Sequence, residues 1–101
     1  MKPRLKRIRI TVTAEHIRDG FRGSSSGCPV ARAFKERMAC LNIIVGGGFA
    51  QPFDDWRTKF ATYNIPPDVR YKILRYDLGD PMEPFSFIAT LDAFQPIQPI
   101  G

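Results

Sequence analysis

Residues 7 to 12 read Arg-Ile-Arg-Ile-Thr-Val, an unbroken alternation of polar and apolar side chains. Successive strand side chains point to opposite faces, so Ile8, Ile10 and Val12 share one face and Arg7, Arg9 and Thr11 the other. The segment reads as a half-buried strand, and the fold must supply a sheet buried on one side. The chain is 101 residues long, enough for one domain with one core, and its 44% hydrophobic and 25% charged content is that of a globular protein. No stretch approaches the ~20 apolar residues of a membrane span, and the basic start leads into the strand rather than an apolar leader.

After this strand, Thr13 offers a helix cap, His16 lies three positions on, and Gly20 is a stop, which predicts one short helical turn. Gly20 to Gly27 is rich in glycine and serine and reads as a loop. Pro29 suits the first position of a second helix, capped by Ser26 or Cys28, with Val30, Phe34 and Met38 as its buried stripe. Leu41, Ile43 and Val45 alternate as a second strand that Gly46-Gly47-Gly48 ends. The segment 56–63 fits two periods. Trp56, Thr58 and Phe60 alternate as in a strand, while Trp56 and Phe60 are also four apart as in a helix. Its threonine and aromatic content selects the strand. Pro66-Pro67-Asp68 opens a third helical segment carrying Val69, Ile73 and Tyr76, and Gly79 stops it. Phe85, Phe87 and Ala89 form a last strand, before a proline-repeat tail expected to be extended.

These elements predict an α+β fold: a single four-stranded sheet with two helices on one face, the ferredoxin-like split βαβ being the simplest topology in that order. The expected division is a basic arm over 1–9 leading into the first strand, one domain over 7–92, and a Pro-rich tail over 93–101.

The chain holds 15 Lys and Arg against 10 Asp and Glu, a formal charge of +5. Lys2, Arg4, Lys6, Arg7 and Arg9 account for the whole excess, and the remaining charges balance. An excess confined to one arm favours contact with a polyanion, although a solubilising strand start would carry the same charges. Cys28 and Cys40 are too few for a disulfide scaffold and match neither a zinc ribbon nor a redox Cys-x-x-Cys pair, so both are expected as buried, reduced thiols.

Motifs for catalysis are weak. Glu15, His16 and Asp19 lack a nearby nucleophile, and a histidine that fixes the helical turn against the next helix is the better account of His16. Ser24 to Ser26 lack the Gly-x-Ser-x-Gly elbow, and Gly46 to Gly48 lack the Lys-Ser/Thr of a phosphate loop. Phe85 and Phe87 share a face and belong by default to the core, since the RNA-recognition signature is absent.

Two stretches, Val12-Thr13-Ala14-Glu15-His16-Ile17-Arg18-Asp19-Gly20 with Cys28-Pro29-Val30-Ala31-Arg32-Ala33, and Ile65-Pro66-Pro67-Asp68-Val69-Arg70 with Tyr76-Asp77 and Glu83-Pro84-Phe85-Ser86-Phe87, resemble a family of small, uncharacterised proteins common in tailed bacteriophages. Members often carry a second cysteine three positions before the Cys-Pro pair. Here that position is Ser25, which removes a ligand from any metal reading of the motif. The resemblance implies a phage or prophage origin, action in the host cytoplasm, and no particular activity.

Taken together, the expectation is a non-enzymatic binding module without metal, cofactor, membrane contact or small-molecule substrate. Lys2, Arg4, Lys6, Arg7 and Arg9 would contact nucleic acid or a nucleoprotein complex, and His16, Gly20, Cys28 and Pro29 would form a structural motif. The alternative is an inhibitor that blocks the surface of a host defence or metabolic protein through a loop over 46–55.

Overall fold

The computed structural model describes residues 6–40, 42–46, 48–53 and 59–96. Lys2, Arg4, Leu41, Gly47, Asp54, Asp55, Trp56, Arg57, Thr58 and the end of the tail from 97 lie outside the described residues. The elements run β1 (Arg7–Val12), α1 (Ala14–Asp19), α2 (Pro29–Met38), β2 (Asn42–Val45), β3 (Phe49–Phe53), β4 (Lys59–Asn64), α3 (Pro67–Asp77) and β5 (Phe85–Pro96). The five strands form one antiparallel sheet in the order β1-β5-β4-β3-β2, curled into a half-barrel.

The alternation in β1 does what its pattern requires: Ile8, Ile10 and Val12 are buried, and Arg7, Arg9 and Thr11 are exposed. The same alternation buries Ile43 and Val45 in β2, Ala50 and Pro52 in β3, and Phe87 and Ala89 in β5. Helix α2 lies on this inner face, against β1, β2 and β3. Its Phe34 is fully buried, with ring centroids 6.2 Å from Tyr63 and 6.0 Å from Phe87. Tilted rings at those separations gain attraction beyond the area they bury. Val69 and Tyr76 of α3 are buried, and Ile73 packs against the core.

The expected four-stranded sheet is thus corrected to five. The added strand is β3, inside the segment expected to be a loop. Pro52 explains why it was not expected. Proline brings no N–H to a ladder and is normally confined to edges and bulges, yet β3 lies between β2 and β4. The β3–β4 ladder pairs Phe49 with Asn64, Ala50 with Tyr63 and Phe53 with Phe60, with no described pairing for Gln51 and Pro52. There the Gln51 side-chain amide donates to Thr62 Oγ1 across the gap at 3.2 Å. The ferredoxin-like arrangement is also corrected. Its split βαβ topology sets the first strand inside the sheet with a neighbour on each side, whereas β1 here lies at the edge and, among the described residues, pairs with β5 alone.

The curl has a local cause. β4 and β5 keep one register from Lys59↔Pro96 to Thr62↔Ala93, then shift to Tyr63↔Leu91. Asp92 is the extra residue of a bulge, and bulges bend a strand and raise its twist. β5 continues past residue 92 to Pro96, paired with β4.

Phe34→Ala removes the ring between Tyr63 and Phe87. Urea denaturation should show a loss of about 3–5 kcal/mol, the range for deleting a fully buried phenylalanine. An unchanged midpoint would place the core elsewhere.

Candidate functional site

Two regions contain the residues singled out by sequence. The first is the α1–α2 junction. Thr13 caps α1: its side chain accepts the His16 N–H at 3.2 Å, and the Thr13 N–H donates to His16 Nδ1 at 3.0 Å. Since Nδ1 accepts, Nε2 carries the ring proton and donates to Glu36 of α2 at 2.8 Å. Both nitrogens of this buried ring are therefore committed to joining α1 to α2.

Gly20 completes the junction. A Cβ there would lie 2.8 Å from the His16 carbonyl oxygen and 2.8 Å from the Pro29 ring. Only glycine admits that approach. Cys28 is the N-cap of α2, its sulfur accepting the Ala31 N–H at 3.4 Å, and Pro29 follows at the position where a missing donor costs nothing. His16, Gly20, Cys28 and Pro29 are thus brought together as one packed unit. The following loop is also tied down: Arg22 donates to the carbonyl oxygens of Tyr76 and Asp80, and Gly23 N–H donates to Asp77 at 2.8 Å.

This unit has little to offer chemistry. Burial pushes the Cys28 thiol up in pKa, against weaker opposing hydrogen bonds from the Ala31 and Val30 N–H groups. A protonated, buried sulfur is a poor nucleophile. Cys40 is buried at the opposite end of α2. Twelve residues along a helix separate the two by roughly 18 Å, far beyond disulfide reach. A cleft of about 440 Å³ opens beside the junction, lined by acids and bases together, including Glu15, Asp19, Arg32 and Lys35. Asp19 is held below the usual carboxylate range by its hydrogen bond to Arg18, an exposed pair worth little. Among the described residues no group of three or more His, Cys, Asp or Glu is placed to hold a metal ion.

The second region is the outer face of the sheet. Helix α2 lies on the opposite face, and among the described residues many of the outward side chains are exposed. Lys6, Arg7 and Arg9 are exposed. β1 is an edge strand, and its arginines face outward with Thr11, whose hydroxyl is 3.1 Å from that of Ser86 on β5. Thr90 of β5, Asn64 of β4, Phe49 of β3, and Asn42 and Ile44 of β2 are exposed on the same face. No carboxylate stands at a paired outward position among the described residues. Asp92, in the bulge, is the exposed acid of these strands.

Sequence reasoning placed Arg7 and Arg9 on this face but missed Asn64, Thr90 and Phe49. The signal for Phe49 was its alternation with buried Ala50 and Pro52, masked by the glycines before it and the proline within it. The chain matches no family model, no curated protein and no solved structure. Among the described residues no helix is long and apolar enough to cross a membrane.

Two outcomes follow from the junction. In native protein at pH 8, iodoacetamide should label Cys28 far more slowly than in denaturant, as followed by mass spectrometry. Rapid native labelling would contradict the burial. Gly20→Ala should lower stability by about 1–3 kcal/mol in urea denaturation, the usual cost of forcing a methyl group into packed atoms.

Proposed function

We propose that the protein is a non-enzymatic binding module that takes nucleic acid, alone or within a nucleoprotein complex, through Lys2, Arg4, Lys6, Arg7 and Arg9. The observation that carries this reading is the outward pair Arg7 and Arg9 on the uncovered face of an edge strand, free of acids at the paired positions around it. Their backbone is held by the burial of Ile8, Ile10 and Val12, so the charges stand on a rigid edge. Phosphate contacts from such a row give affinity with little sequence preference. The assignment as non-enzymatic is supported by the engagement of both His16 nitrogens and by the buried, capping role of Cys28. The bacteriophage resemblance supplies the setting: an accessory protein acting in the host cytoplasm.

The alternative, inhibition by surface blockade through 46–55, loses its loop, because Phe49–Phe53 is strand β3, bonded on both sides. It becomes the leading reading if nucleic acid is not bound.

Anisotropy titration at low salt tests the proposal. Five neutralised phosphates give a log–log salt slope of at most about −4.5 on duplex DNA, and a smaller one on a single strand. Replacing Lys2, Arg4, Lys6 and Arg7 by glutamine should abolish binding and leave the circular dichroism spectrum unchanged. Equal binding by wild type and variant, or none by either, overturns the reading.

A further inference from the structure

The outer face bears on which form of nucleic acid is bound, an inference that rests on the reading just proposed. Arg7 pairs with Thr90, Thr90 with Asn64, and Asn64 with Phe49. Residues in register share a face, so these four side chains make one row across β1, β5, β4 and β3. All four are exposed, Phe49 to 36%. At about 4.8 Å per strand, the row runs roughly 14 Å from arginine to aromatic ring.

Phe49 is held in place rather than loosely displayed. The Gly46 N–H donates to the Phe49 carbonyl at 2.9 Å, closing the β2–β3 hairpin. A Cβ on Gly46 would lie 2.5 Å from the Phe49 ring, so the ring rests against a residue without a side chain. The glycine supports the ring on one side, and the exposed remainder is turned to solvent.

We propose that this row is a platform for single-stranded nucleic acid. A base stacks on Phe49, Arg7 and Arg9 hold phosphates, and Asn64 and Thr90 between them exchange hydrogen bonds with base edges or sugar. Aromatic rings on an open sheet bind unpaired bases because every base has a π-face, whereas the bases of a duplex stack on one another. Size argues the same way. The major groove is about 12 Å wide and admits a helix or a two-stranded ribbon, and a four-strand row of roughly 14 Å between outer positions does not enter it. Charge sets the path. Asp92 lies beyond Thr90 on one side of the row and Arg9 on the other, so the phosphates run over Arg9. The amide of Asn64 both donates and accepts, which suits a base edge and not a purely anionic partner.

The test uses the full chain and fluorescein-labelled 12-mers of one sequence as single-stranded DNA, single-stranded RNA and duplex DNA. Wild type should bind a single strand more tightly than the duplex, and the two single-stranded arms separate DNA from RNA. Phe49→Ala and Phe49→Leu should weaken single-strand binding about 5- to 150-fold, the range carried by one lost stack. Phe49→Tyr should stay within about twofold of wild type, since it keeps the ring. Asn64→Asp, nearly isosteric and exposed, should also weaken binding by setting a carboxylate in the row. Circular dichroism and thermal melts accompany each variant, and Asn64→Asp decides the matter if a Phe49 variant unfolds. Duplex binding at least as tight as single-strand binding, or binding indifferent to Phe49 and Asn64, overturns the platform while leaving the basic-arm reading intact. Absence of binding to all three probes overturns both.

Discussion

Phe34, at the centre of α2, is the contact around which the two layers close. Its ring meets Tyr63 from β4 and Phe87 from β5, while α2 also lies on β1, β2 and β3. One helix layer covers only one face of a sheet, so each strand must keep a dry side and a wet side. The curl produced at the Asp92 bulge wraps the dry side around α2 and leaves the outer face open. The platform is therefore a by-product of having a single layer of helices, and its chemistry is set by residues that the core does not constrain.

The α1–α2 junction determines where α2 enters that layer. α1 has only six residues and could not persist alone. It is held by reciprocal hydrogen bonds between Thr13 and His16, by the His16–Glu36 contact, and by Pro29 packing on Gly20. Polar side chains that resemble catalytic equipment are here consumed in fixing the angle between two helices. Arg7 and Arg9 and the outer row of Thr90, Asn64 and Phe49 are, by contrast, exposed.

Where a pattern was local and regular, the residues were readable in advance. The alternation in β1, the Thr13 cap, the Cys28-Pro29 helix start and the Pro66-Pro67 start of α3 each carry their instruction within a few positions. β3 was not readable because Pro52 obeys its neighbours rather than its own preference: Gln51 bridges to Thr62 and β2 pairs on the other side. Strand order was not readable either, since no residue in β1 names β5 as its partner. Half of the candidate site followed the same division. Arg7 and Arg9 came from the β1 pattern, whereas the row with Thr90, Asn64 and Phe49 exists only through pairings between distant segments.

The pairing of the first strand with the last governs how the molecule is assembled. β2, β3 and β4 are joined in order by short connections and can associate as soon as they have left the ribosome. β1, although synthesised before them, has no partner until β5 emerges, and synthesis proceeds at only about 5–20 residues per second. Closing so long a loop delays the final step relative to the local meander. During that interval α2 is the one element that can cover the apolar stripe of Ile8, Ile10 and Val12, the hydrogen-bonding edges of β1 stay unpaired, and Arg7 and Arg9 between those residues disfavour pairing with other chains. The same two charges that face outward in the finished protein thus serve as gatekeepers while it is being made.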